Sequence, residues 1–114
     1  MGQMLANPQI VVIRPQGSLN ATKALDFEQQ LTTAIEQRHC SILLVDFKQV
    51  ESLDSAGLMA LIAALKKAQS LSRRLSVCCV SPTIKLIFEL TQLERAFEIF
   101  ECQSEFTRTY GLKL

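Results

Sequence analysis

Asp54-Ser55-Ala56-Gly57-Leu58-Met59 is the stretch of this chain best suited to chemistry. Asp54 or Ser55 can cap a helix by accepting a backbone N–H bond, and Gly57 lets another backbone or a partner come close. On the local pattern alone, a cap is favoured over a switch.

Other chemistry-bearing residues read differently. The only histidine, His39, sits beside Arg38 at the end of a predicted helix, where a partly charged imidazole complements the dipole. One histidine with no nucleophile elbow makes no Ser-His-Asp site, and the four scattered glycines make no phosphate-cradling loop, so no enzyme is indicated. Cys40, Cys78, Cys79 and Cys102 combine an adjacent pair with wide gaps. That pattern matches neither a Cys-x-x-Cys zinc site nor a compact secreted disulfide framework. They read as reduced, mostly buried thiols, with no metal and no cofactor. Lys66, Lys67, Arg73 and Arg74 cluster around the end of a predicted helix and read as a solvated helix end. An acidic partner surface or a lipid head group could use the same charges.

The elements that must hold these residues follow from periodicity. Ile10-Val11-Val12-Ile13 predicts a strand, stopped by Pro15 and Gly17 and followed by a turn or a hairpin partner ending near Leu19. Ala24, Phe27, Leu31, Ala34 and Ile35 recur at helical spacing over 21–38, with Asn20 and Thr22 available as caps. Residues 42–47 are almost wholly apolar, as a central strand covered on both faces requires. A polar loop then leads to a helix over 56–70. A strand over 75–80 precedes Ser81-Pro82, a strong helix start for a short helix through about Leu90. Residues 97–101 alternate like an edge strand, and a last short helix opens at Ser104 and ends near Gly111.

Repeated strand-helix-strand units imply right-handed crossovers and an α/β fold with a mostly parallel central sheet, an opening strand pair that is antiparallel if it forms a hairpin, and about four helices. The ten core positions expected are Ile13, Leu31, Ile35, Leu43, Val45, Leu58, Leu61, Ile62, Val77 and Ile87. No internal repeat or low-complexity segment stands out.

With 114 residues, 48% of them hydrophobic, the chain fits one domain over 1–114, with 1–8 and the last few residues loosely held. The formal net charge of +1 and the pI near 7.7 lack the basic excess that direct nucleic-acid binding uses. The longest apolar run, 56–65, is about half the length of a membrane span, and no targeting segment opens the chain. A soluble, cytoplasmic protein without a transmembrane segment is expected.

The stretch from Asp46-Phe47 to Asp54-Ser55-Ala56-Gly57-Leu58 resembles the signature of STAS domains, in which an apolar strand ending in such a pair precedes Asp-Ser-x-Gly-Leu. Gly17-Ser18-Leu19-Asn20 resembles the family's Gly-x-Leu-Asp turn. Val80-Ser81-Pro82, with Ile84, Leu86 and Ile87, resembles its later strand-to-helix junction, so nearly the whole chain is covered. The resemblance is to bacterial anti-sigma factor antagonists. It implies a non-catalytic regulatory module in which Ser55 is phosphorylated by an anti-sigma factor that is also a serine kinase. The unphosphorylated form would bind that kinase, and a serine phosphatase would reset the phosphorylated one. Partner contacts are then expected at Asn20, Thr22, Asp54, Ser55, Ala56, Gly57, Leu58, Met59 and Ser81. Two positions depart from the family pattern: Ala56 replaces a frequent second hydroxyl, and Asn20 replaces the turn Asp. The alternatives are a scaffold or accessory subunit of a signalling or membrane transport complex, and a small-ligand or nucleotide-binding module.

Overall fold

Runs of β-branched and leucine residues become strands, and the stretches with helical spacing between them become helices. The computed structural model describes residues 9–110. Its strands are β1 (Ile10–Ile13), β2 (Gly17–Leu19), β3 (Ile42–Asp46), β4 (Val50–Leu53), β5 (Arg74–Cys78) and β6 (Glu98–Phe100). Its helices are α1 (Ala21–Glu36), α2 (Ser55–Ser70), α3 (Pro82–Leu90) and α4 (Gln103–Tyr110), with a short 3-10 turn at Leu93–Arg95. The expected helix end near Gly111, and the expectation that residues 1–8 and the last few residues are loosely held, fall outside the described residues. Among the described residues no helix is long and apolar enough to cross a membrane.

Four strands form one sheet in the order β1-β3-β5-β6, every neighbouring pair parallel. All five residues of β3, Asp46 included, are buried, as its almost wholly apolar run predicts for a central strand. Alternation sends its side chains to two cores. Leu43 and Val45 join Leu75 and Val77 against Leu31 and Ile35 of α1, Leu61 and Ala64 of α2, and Ile84 and Phe88 of α3. Ile42 and Leu44 join Cys78 and Phe100 against Phe106 of α4.

The opening strands do not close a hairpin. Pro15 has no N–H to donate, and Gly17 turns the chain at φ +73°, a value that glycine adopts readily. The Gly17 N–H then bonds to the Gln49 carbonyl at 2.9 Å. β2 thereby pairs parallel with β4 in a second, two-stranded sheet. β4 occupies what reads from the sequence as a polar loop. Only its end residues, Val50 and Leu53, face inward, and Glu51 and Ser52 are exposed, so its hydrophobic signal is too thin to stand out.

Two smaller boundaries shift. β5 stops at Cys78, because Cys79 takes φ +60° and leaves the strand. α1 ends at Glu36, so His39 lies in the following turn and complements no helix end; the Arg73 guanidinium instead donates to the Ile35 carbonyl. The basic cluster is dispersed. Lys67 pairs with Glu36 at 3.2 Å, and Arg74 pairs with Glu98 at 2.9 Å and donates to the Tyr110 hydroxyl. Of the expected core, Leu31, Ile35, Leu43, Val45, Leu61 and Val77 are buried, and Ile13 and Leu58 are partly buried against it. Ile62 and Ile87 are half-buried, because Leu61, Ala64 and Leu65 take the inward face of α2 and Ile84 and Phe88 that of α3.

Leu43 is fully buried at the centre of the sheet. Leu43→Ala should therefore cost about 2–5 kcal/mol. An unmoved chemical denaturation midpoint would contradict this placement.

Candidate functional site

The short β2–β4 ladder sets the geometry of the site. It aligns Leu19 with Leu53, and the Asp54 N–H extends it by donating to the Leu19 carbonyl at 3.2 Å. The next residues in the two strands are Asn20 and Asp54, and each caps a helix. Asn20 Oδ1 accepts from the N–H groups of Thr22 and Lys23 at 3.1 and 3.3 Å. Asp54 Oδ1 accepts from Ala56 and Gly57 at 2.9 and 3.1 Å. Two helix N-termini therefore start in register, and α1 and α2 pack against each other. Ser18-Leu19-Asn20 and Ser52-Leu53-Asp54 are the sequence signal of this arrangement, a three-residue echo that a search for longer repeats passes over.

Because Asp54 supplies the cap, Ser55 is not needed for it and stands exposed as the first residue of α2. Ala56 and Leu58 are half-buried and Gly57 is buried. A Cβ on Gly57 would lie 2.3 Å from the Leu19 carbonyl oxygen and 2.8 Å from Leu53 Cδ1. The glycine is thus required by close approach of α2 to both β2 and β4. Met59 follows Ser55 by one helical turn on the same face and is 63% exposed. Thr22 is exposed in the first turn of α1, and Leu25 beyond it is 67% exposed. Leu25 is an addition that periodicity does not suggest, because α1 has enough inward apolar residues without it. Ser81 sits apart on another element: it is half-buried and caps α3 by accepting from the Ile84 N–H at 3.3 Å.

A second constellation lies at the carboxyl ends of β3 and β5. Ligand atoms of Asp46, Cys78 and Cys79 all fall within 4.8 Å of one another. The carboxylate is a donor that the cysteine spacing gives no hint of. Cys40 is buried, as expected, whereas Cys102 is exposed.

The family model for the STAS domain matches residues 3–105. An anti-sigma F factor antagonist from Paenibacillus polymyxa is 22% identical over 92 residues, spanning 81% of this chain and 79% of that protein. Among solved structures, the anti-sigma factor antagonist SpoIIAA in its unphosphorylated form superposes with a TM-score of 0.71 at 20% identity, with 96% of each chain covered. Its phosphorylated form gives 0.69 at 20% identity, covering 93% of this chain and 96% of that one. A sulfate transporter family protein from Wolinella succinogenes gives 0.80 at 12% identity, covering 95% and 89%. At these identities the superpositions establish the fold.

The caps and the close approach can be separated by mutation. Asp54→Ala should cost about 0.5–2 kcal/mol, while Ser55→Ala should stay within about 0.5 kcal/mol of wild type. The reverse order in denaturation midpoints would make Ser55 the cap. Gly57→Ala should cost on the order of 1–3 kcal/mol, because backbone rather than a flexible side chain must give way; unchanged stability would show that α2 is not pressed against β2.

Proposed function

This chain belongs to the STAS domain family, and from that premise we propose that it is a regulatory protein-binding module, an anti-sigma factor antagonist switched by phosphorylation of Ser55. The observation that supports this most is the exposed Ser55 hydroxyl, released from capping by Asp54 and set on one face of α2 with the 63% exposed Met59. An exposed methionine on an otherwise apolar helix start offers a partner an adaptable apolar contact. Leu25 and Thr22 on α1 extend the same end of the molecule, alongside Asn20 and Asp54.

In this reading the partner is an anti-sigma factor with serine kinase activity, and the chain performs no chemistry itself. Docking covers Asn20, Thr22, Asp54, Ala56, Gly57, Leu58 and Met59 around Ser55. The kinase transfers the terminal phosphoryl group of a nucleoside triphosphate to Ser55 Oγ: the new O–P bond replaces the one to the departing diphosphate, and the hydroxyl proton is lost. A bulky, strongly hydrated dianion then stands where a small hydroxyl had packed, and desolvating it without a cation is costly. The complex weakens until a serine phosphatase restores the hydroxyl. Such a switch operates in the cytoplasm.

A second reading, an accessory module of a membrane transport assembly, is favoured by the fold match to the Wolinella succinogenes protein. The two differ in what Ser55 does. Capture from native cells with wild type and Ser55→Ala should identify the partner, and calorimetry should then compare variants. Ser55→Asp should keep the native circular dichroism and melting curve and bind at least about tenfold more weakly, near 1.4 kcal/mol. Ser55→Ala should bind like wild type and resist modification. Equal affinity of all three proteins would remove Ser55 as the switch.

A further inference from the structure

Cys78 and Cys79 are neighbours in the chain, and in a regular strand their side chains would point to opposite faces of the sheet. Here they converge. Cys79 leaves β5 at φ +60°, a left-handed conformation that non-glycine residues rarely adopt, and its N–H donates to the Phe100 carbonyl at 3.2 Å. Strained backbone of this kind persists where the surroundings over-determine it and gathers at functional sites. The parallel register sets Asp46 opposite Cys78, which adds a carboxylate to the two sulfurs. Both are more than nine-tenths buried, Asp46 at 6% exposed and Cys78 at 0%. An open cleft of about 590 Å³, lined by Arg14, Asp46, Cys79 and Cys102, connects the group to solvent.

We propose that Asp46, Cys78 and Cys79 form a binding site for a thiophilic divalent cation of the zinc type, with the fourth position facing the cleft, where Cys102 or water completes the shell. Two thiolates and a carboxylate suit a borderline-soft ion, and a tetrahedral shell needs donor atoms roughly 3.8 Å apart or less. The present separations are all within 4.8 Å, so modest side-chain rotation closes them. The group is also rich in potential negative charge. Burial pushes the Cys78 thiol far above its ordinary range, and Cys79, Asp46 and Cys102 push it further. A cation relieves that opposition: it displaces one proton from each thiol to solvent and takes an oxygen of the Asp46 carboxylate. Asp46 already has two partners, the Lys48 N–H at 2.9 Å on Oδ1 and the Arg14 Nε at 3.5 Å from Oδ2. The exposed Arg14 is therefore the group that the ion displaces.

The test uses the full chain, reduced and stripped of metal by a chelator that is then removed. Zinc is titrated in competition with a chromophoric chelator, and cobalt serves as the optical probe of thiolate coordination. One zinc per chain should bind, and cobalt should give a near-ultraviolet thiolate charge-transfer band that zinc abolishes. Cys79→Ser and Asp46→Asn should each weaken zinc at least tenfold with native circular dichroism, and His39→Ala should change nothing. Cys78 is fully buried in the core, where a serine hydroxyl would also disturb packing, so the half-buried Cys79 carries the test. The proposal is overturned by absence of saturable binding, by a cobalt complex without the charge-transfer band, or by binding that Cys79→Ser and Asp46→Asn leave intact.

Discussion

One short parallel pairing, β2 against β4, determines where two helices begin. Three registered pairs, flanked by the bonds from the Gly17 N–H to the Gln49 carbonyl and from the Asp54 N–H to the Leu19 carbonyl, make it, yet they place Asn20 beside Asp54 and so set the N-termini of α1 and α2 side by side. Gly57 is the steric counterpart of that bond, since a side chain there would strike the same Leu19 carbonyl. The hydrogen bond and the missing Cβ both depend on the same close approach. Loosening it would move the first turn of α2, and the exposure of Ser55 and Met59 with it.

That small sheet would be marginal alone, because so few paired residues bury little surface. It is supported from β3. The Phe47 N–H donates to the Cys78 carbonyl, and the Val50 N–H to the Phe47 carbonyl, so the link from β3 to β4 is tied down at both ends. Phe47 is 1% exposed and packs edge-on against Phe88, which stacks on Phe97. The aromatic core therefore holds the link whose far end presents Ser55. Rigid packing at one end and an exposed hydroxyl at the other is the arrangement expected of a site meant to be read by a partner.

The sequence made the large elements legible because their signals are strong. The almost wholly apolar stretch 42–47 pointed to a covered central strand, and Ser81-Pro82 pointed to a helix start. β4 stayed hidden because two exposed polar residues separate its two inward ones, and the partner of β2 stayed hidden because a strand of three residues carries no pairing information of its own. At the site, Asp54-Ser55-Ala56-Gly57 was visible as a motif, but which of Asp54 and Ser55 takes the cap was decided by geometry. The convergence of Asp46 with the two cysteines depends on register between distant strands and on a single left-handed residue, neither of which spacing along the chain encodes.

The departure at Asn20 acquires a physical meaning from this geometry. A phosphate on Ser55 would arrive where Asp54 already occupies the N–H groups of Ala56 and Gly57, so α2 alone has little left to offer a new dianion. The neighbouring N-terminus of α1 is different. Its cap is a neutral amide, its first turn holds no acidic residue, and Lys23 lies within that turn. A carboxylate at position 20 would set a second fixed anion in register with Asp54 and partly neutralise the α1 dipole before any phosphate arrived. With Asn20, the α1 end keeps its positive potential, and like-charge repulsion comes from Asp54 alone. On the proposed reading the fold could thus host the added charge locally, while a partner covering the same surface would have to strip that charge of water. This asymmetry would let one modification change binding and leave the domain as it was.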